Sequence, residues 1–289
     1  MNIRDLTYFL AVAELEHFGQ AAEQCYVSQP TLSGQIKKLE EELGAKLFER
    51  TNRRVLLTET GEQIAHSARR ILREVETIRD IAESSSDPLA GKFRLGAFPT
   101  LATYIFPELV KKVKAAAPNL RLILIEEKTA TLLEKLRHGE IDAALLALPI
   151  VDDFLLSELL FDDEFYLAVP PDHELAEKSE IDGKMLRKQP LLLLEEGHCL
   201  RDHALDVCQM HGISEEQDFK ATGLETLRQM VKAGTGITLM PNAAIDRNDP
   251  DIRYIPFARP APSRTIGLVW RKTCSRESLL ATVAGLLKH

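Results

Sequence analysis

Residues 197–211 read GHCLRDHALDVCQMH. Two of the chain's four cysteines, Cys199 and Cys208, stand there among His198, His203, His211, Arg201 and Asp202. Three readings fit such a set. A thiol beside positive charge ionises readily, and its thiolate attacks a peroxide O–O bond to give a sulfenic acid. Cys199-x3-His203 and Cys208-x2-His211 have the spacings of metal-ligand pairs. Two small buried core residues would need no chemistry at all. Gly197 interrupts the chain after the run LLLLEE, so a helix is expected to open near Cys199. The unpaired N–H groups of a helix start, with His198 and Arg201 beside it, favour thiolate at Cys199. One continuous helix would aim the two candidate ligand pairs in different directions, and a single ion then requires the segment to unwind.

The whole chain bounds where that chemistry takes place. With 289 residues and 45% hydrophobic content, it can bury a sizeable core and is long enough for two domains. The opening MNIRDLTYFLAVAELEHF interrupts every apolar run with charge and lacks a small-residue cleavage site, which predicts neither a secretion signal nor a spanning helix. A cytoplasmic location and no membrane partner are therefore expected. In that reducing compartment cysteines serve as core residues, metal ligands or redox thiols rather than as crosslinks. Lys and Arg number 36 against 44 Asp and Glu, a net charge of −8. That average argues against a nucleic-acid partner, so any DNA contact must come from a local edge.

Such an edge lies near the N-terminus. Leu6, Phe9, Leu10 and Ala13 mark one helix face, Phe18, Ala21, Ala22 and Cys25 a second, and Leu32, Ile36, Leu39 and Leu43 a third. Tyr26-Val27-Ser28 separates the second helix from the third, with Ser28 as N-cap, Pro30 in the first turn and Gly44 just past the end. This is helix-turn-helix spacing. Gln29, Thr31, Ser33 and Gln35 are uncharged side chains suited to base edges in a major groove, while Lys37 and Lys38 suit phosphate. Asn52-Arg53-Arg54 then forms a basic turn between short extended runs, the pattern of a wing against the DNA backbone.

Ile64, Ala68, Ile71, Val75, Ile78 and Ala82 follow at spacings of 4, 3, 4, 3 and 4, a heptad seam that predicts pairing with a second copy. Ser84-Ser85-Ser86-Asp87-Pro88 breaks the pattern as a hinge. From Lys92 onward apolar runs alternate with amphipathic ones, KFRLGAF, LRLILIEEK and DAALLALP, then FYLAVP, LLLLEE and ITLMP, which predicts parallel α/β in two lobes. RTIGLVWR and SLLATVAGLLKH are expected to return to the first lobe, leaving a cleft for small ligands between the two.

VSQPTLSGQIKKLEEELGAKLFERTNRRVLLTETG resembles the winged helix-turn-helix of LysR-type transcriptional regulators. The remainder is similar to their two-lobed, periplasmic-binding-protein-like effector domain. GHCLRDHALDVC and ATGLETLRQMVKAGTGITLMP resemble the peroxide-sensing members of that family more closely. The resemblance implies an α/β protein with a DNA-binding domain over 1–58, a dimerising linker helix and hinge over 59–88, and an effector domain over 89–289. Lobe I would take about 90–162 and 267–289, and lobe II about 163–266. Promoter DNA would meet Gln29, Pro30, Thr31, Ser33, Gln35, Lys37, Arg50, Arg53 and Arg54.

By the same resemblance Cys199 and Cys208 are a redox-active pair, and Thr100, Thr129, His198, Asp202 and Arg264 line the peroxide pocket. Oxidation of Cys199 followed by a disulfide to Cys208 would switch on peroxide-defence genes through RNA polymerase, in a homodimer that assembles further to a homotetramer. Nine residues of helix separate two Cα atoms by about 13.5 Å along the axis, whereas a disulfide needs about 7 Å or less. The switch therefore requires 199–208 to unwind. No cofactor or metal is implied. Gly234-Thr235-Gly236 lacks a third glycine and precedes a strand, so it is no dinucleotide fingerprint, and an enzyme is not expected. Two alternatives remain at this level: a regulator that senses a small metabolite in the cleft, and a thiol peroxidase.

Overall fold

The computed structural model describes residues 1–50, 55–84, 87–186, 191–197, 199–201, 204–205 and 215–288, with the side chains of 50, 80, 81, 83, 84 and 215–220 also outside the description. The chain forms two compact units, Met1–Ser85 and Ser86–His289.

In the first unit, helices α1 (Ile3–Leu15), α2 (Phe18–Gln24) and α3 (Gln29–Leu43) each begin at a capping side chain. Asn2 forms a capping box with Asp5, His17 Nδ1 accepts from the Gly19 and Gln20 amides, and Ser28 accepts from Thr31. Gly44 ends α3 in the left-handed region at φ 65°, a conformation that costs glycine no side-chain clash. Phe9, Val12, Leu32, Ile36, Leu39 and Leu47 fill the core, and Ala65 and Ala68 of helix α4 (Glu59–Ser84) complete it. Leu43 departs from the predicted face: it is 37% exposed, because Gly44 turns the chain away before the last helical turn reaches the core. Strands β1 (Phe48–Arg50) and β2 (Val55–Leu57) pair antiparallel, Phe48 opposite Leu57; the predicted wing turn at 52–54 lies outside the described residues.

The second unit carries a seven-stranded sheet. Strands β3 (Gly91–Ala97), β4 (Leu120–Glu126) and β5 (Ala143–Leu148) run parallel, with helices α5 (Pro99–Ala116) and α6 (Thr129–Arg137) between them. The expected all-parallel texture ends there. Strand β6 (Leu155–Val169) and strand β11 (Ser263–Arg271) are antiparallel, and β6 absorbs the predicted separate strand FYLAVP into one 15-residue strand. A register shift between Ile266 and Gly267 lets the β6–β11 ribbon twist from one core to the next. Strands β9 (Thr238–Pro241) and β10 (Arg253–Pro256) take the two edges of the far end of β6.

Two more strands, β7 (Leu191–Leu194) and β8 (Glu215–Ala221), pair parallel beside helix α7 (Leu224–Lys232). The final helix α8 (Glu277–Leu287) packs Leu279, Leu280 and Val283 into the core that also holds Phe93, Leu101 and Leu145. Separate cores gather around Ile181, Leu191 and Leu239, and around Leu192, Leu227 and Met240, on the other side of the ribbon.

Candidate functional site

Two surfaces place the predicted residues. On the first unit, Ser28 caps α3 twice: its Oγ accepts from the Thr31 amide at 3.4 Å and lies 2.8 Å from Thr31 Oγ1. Leu32 and Ile36, both fully buried, fix the helix by its inner face, so the first turn is presented outward. Gln29, Pro30 and Thr31 are exposed there, while Ser33 and Gln35 are half-buried. Lys37 and Lys38 are exposed on the next turn, and Lys37 makes only a loose 3.7 Å contact with Glu41. Arg50 ends β1 with its side chain outside the described residues, as are Arg53 and Arg54.

The wing is tied to α3 by Glu40. This carboxylate is buried, accepts from the Leu47 amide at 2.9 Å and the Phe48 amide at 3.4 Å, and meets Lys46 Nζ at 3.4 Å. Burial alone would raise its pKa. The two amides and the Lys46 ammonium outweigh that effect and hold Glu40 below the ordinary glutamate value. Cys25 closes α2, half-buried against the same core, and burial pushes its thiol up.

Of the predicted pocket residues in the second unit, Thr100 lies on α5, Thr129 on α6 and Arg264 on β11. Strands β3 and β4 are neighbours with Ala97 opposite Glu126, so the helices that follow them start side by side. Thr100 sits in the first turn of α5 and Thr129 opens α6. Thr129 Oγ1 is buried and, among the described residues, has no hydrogen-bond partner. Thr100 is buried and held. Its Oγ1 accepts from Arg264 Nη1 at 2.8 Å, and its carbonyl accepts from Nη2 at 3.1 Å.

Arg264 itself has no exposed surface. Its Nε and Nη2 grip one oxygen of Asp163 at 3.0 and 2.9 Å, the guanidinium lies 5.0 Å from the Phe98 ring centroid, and Asp163 also accepts from the Ala243 amide. Two edges of the guanidinium and one face are thus taken up by protein.

Cys199 comes from the β7 side of the unit. Strand β7 ends at Leu194, Gly197 turns the chain at φ 88°, and helix begins at Cys199 as expected, with 199–201 and 204–205 helical. The thiol is half-buried and packs against the core built on β3, α5 and α6. Buried Arg201 anchors the turn from within by donating to the Leu194 carbonyl at 2.9 Å. His198, Asp202 and Cys208 lie outside the described residues. So do His203 and His211, which leaves Cys199 as the single described member of the metal-ligand alternative.

This arrangement, a helix-turn-helix unit and an α/β sheet unit, matches known sequences in both halves. Residues 3–62 match the bacterial regulatory helix-turn-helix protein of the lysR family, and residues 86–289 match the LysR substrate binding domain. The chain belongs to the LysR family.

As a LysR-family regulator it binds DNA through its N-terminal unit. It is 44% identical over 273 residues to the "Hydrogen peroxide-inducible genes activator" of Dickeya chrysanthemi, covering 94% of this chain and 90% of that one. The structure of full-length OxyR from Pseudomonas aeruginosa with a cysteine-to-aspartate change superposes with a TM-score of 0.80 at 38% identity, over 99% of this chain and 94% of that one. A hydrogen peroxide-bound cysteine-to-serine mutant of Corynebacterium glutamicum OxyR gives 0.69 at 34% identity, over 99% and 91%.

Sequence reasoning about this LysR regulator passed over three residues: Glu40, Asp163 and Lys128. Asp163 partners Arg264 from 101 positions away, and no local pattern encodes that choice. Lys128 left a readable signal. It occupies the N-cap of α6, where a cation faces the positive end of the helix dipole, so it calls for a carboxylate from outside.

Proposed function

We propose that this chain is a transcription regulator activated by hydrogen peroxide through oxidation of Cys199. The observation that carries the reading is the placement of that thiol. It opens a helix two residues after a left-handed glycine and packs on the core next to which α5 and α6 carry Thr100 and Thr129. The relatives named above, a peroxide-inducible activator and a peroxide-bound OxyR mutant, support the same signal.

The chemistry follows from the donors present. The helix start and its neighbouring cations favour the Cys199 thiolate. Its sulfur attacks one peroxide oxygen; the S–O bond forms as the O–O bond breaks, and hydroxide leaves and takes a proton to become water. Sulfur is oxidised by two electrons and peroxide is reduced by two. Because Arg264 donates to Thr100 Oγ1, that hydroxyl's own proton is directed elsewhere, and Thr129 has both donor and acceptor capacity to spare. Two hydroxyls suit a small neutral oxidant with two oxygens and stabilise the leaving hydroxide. His198 and Asp202 complete the pocket. Cys208 then attacks the sulfenic sulfur, releasing a second water and leaving a Cys199–Cys208 disulfide.

The domain division 1–58, 59–88 and 89–289, with lobes at about 90–162 plus 267–289 and about 163–266, belongs to the same reading. Gln29, Pro30, Thr31, Ser33 and Gln35 address base edges, and Lys37, Arg50, Arg53 and Arg54 address phosphates of double-stranded promoter DNA. Two copies pair along α4, pairs assemble into a tetramer, and the activated form engages RNA polymerase in the cytoplasm. Among the described residues no helix is long and apolar enough to cross a membrane.

Thiol counting and reporter transcription after a stoichiometric pulse of hydrogen peroxide test the proposal. Wild-type chain should lose two thiols and activate; Cys199→Ser should do neither while still binding DNA, and Cys25→Ala and Cys274→Ala should respond normally. Activation by peroxide in Cys199→Ser would overturn it.

A further inference from the structure

Lys128 joins the start of α6 to the turn that precedes Cys199. Its Nζ donates to Glu195 Oε1 at 2.7 Å and to the Glu196 carbonyl at 3.1 Å, across 67 and 68 positions of sequence. The residue after it is Thr129, and the residues after its two partners are Gly197 and, two further on, Cys199. A Cβ built on Gly197 would lie 3.3 Å from Lys128 Cδ, so the lysine stem packs along the left-handed turn as its ammonium bonds the carbonyl before it. The far end of that turn is held separately: the Glu195 amide donates to the Ala221 carbonyl, and Arg201 grips Leu194. Lys128 is thus a polar tie between the α6 start and the Cys199 turn, added to the apolar contact of Cys199 with the core of β3, α5 and α6.

The cation sits at an unfavourable place, the N-cap of α6, where a helix start repels positive charge. Its retention there has no capping benefit, since it makes no side-chain cap bond. What it gains is Glu195 and the Glu196 carbonyl. We infer that Lys128 is a positioning residue for the peroxide reaction, a cross-lobe clamp that holds the Cys199 turn against the Thr129 end of the pocket. This inference rests on the peroxide reading of Cys199 given above.

The pair is half-exposed, 41% for Lys128 and 38% for Glu195, so its effect is modest and sensitive to salt. The test uses the full-length reduced chain and follows peroxide oxidation of Cys199 by stopped-flow at low and high sodium chloride. Lys128→Gln should slow the step by about twofold to fivefold, the range that a half-exposed pair supports. Lys128→Arg should restore most of the rate, because it keeps charge and reach. Sodium chloride should slow the wild type toward the variant and leave Lys128→Gln nearly unchanged. Glu195→Gln should also slow the step, and the double variant should be no slower than the slower single, as expected of two members of one interaction. Equal rates and equal salt response in wild type and Lys128→Gln, with Cys199 reactive in both, would overturn the clamp. A wild-type Cys199 that does not react with peroxide would instead overturn the reading beneath it.

Discussion

Arg264 shows how much one side chain can decide. A guanidinium with no exposed surface is tolerable only because Asp163 neutralises it, Thr100 takes two further donors and Phe98 covers its face. Removing the cation alone strands the Asp163 carboxylate in the interior. Arg264→Met should therefore destabilise the effector unit by about 3–5 kcal/mol in urea unfolding. Adding Asp163→Leu should recover a large part of that loss, because both charges are then gone. If the double variant is as unstable as the single, the cost lies in packing rather than in the orphaned charge. Lysine at 264 keeps the charge but not the fork, and should loosen Thr100 even where the fold survives.

Among the elements, α3 and α4 carry opposite duties along their lengths. Glu40 on α3 stitches the recognition helix to the wing, and its carboxyl is held below the ordinary value of 4.5 once the amides and Lys46 have outweighed burial. A depressed carboxyl stabilises the fold at pH above its unfolded value and loses that contribution as pH falls through the folded one. Acid unfolding of the N-terminal unit should thus steepen below about pH 4.5, and Glu40→Gln should flatten that arm while costing about 1–3 kcal/mol at neutral pH. On α4 the early turns bury Ala65 and Ala68 in their own unit, whereas Ile71 is 43% and Ile78 67% exposed. In the dimer proposed above, their heptad spacing sets the exposed half against a second copy. Ile78→Asp should shift sedimentation toward monomer with the helix content kept, while Ala68→Asp should unfold the unit. A dimer unchanged by Ile78→Asp would place the pairing elsewhere.

Across the whole effector unit, few polar ties join α5 to α7. Tyr104 donates to Glu225 Oε1 at 2.5 Å and accepts from Arg228 Nη2 at 3.3 Å. Burial first, and Glu225 second, push the Tyr104 hydroxyl up to about 12 in spite of Arg228. A raised value means that the tie is fully present below the ordinary tyrosine value of 10 and is lost as pH climbs to about 12. Tyr104→Phe should remove that alkaline slope in thermal unfolding. Oxidation should act on a larger scale. If Cys199 bonds Cys208, the helical residues 199–201 and 204–205 should leave helical geometry, which pulls buried Leu200 and Ala204 from two neighbouring cores. Hydrogen exchange should rise across 199–208 in the disulfide form and change at an inter-subunit surface, with an altered DNA footprint. Identical exchange beyond the cysteines' neighbours, with an identical footprint, would mean that the disulfide is not the switch.

Local chemistry made much of this protein legible from its chain alone. Ser28, Pro30 and Gly44 delimit α3, and apolar spacing of 3 and 4 identifies the helices, because capping and amphipathic burial depend on residues within a few positions of one another. Gly197 likewise announces the turn before Cys199. Tertiary structure alone decided the rest. Strand β6 runs as one piece because β11 pairs along it from Leu155 to Glu164, and its alternation is too irregular to reveal the partner. Arg264 chose Asp163, Lys128 chose Glu195, and Glu40 chose the amides of Leu47 and Phe48 through contacts that form only once the chain has folded. Periodicity reports which face of an element is buried. It carries no information about which distant charge will meet it there, since that depends on how strands are ordered in the sheet.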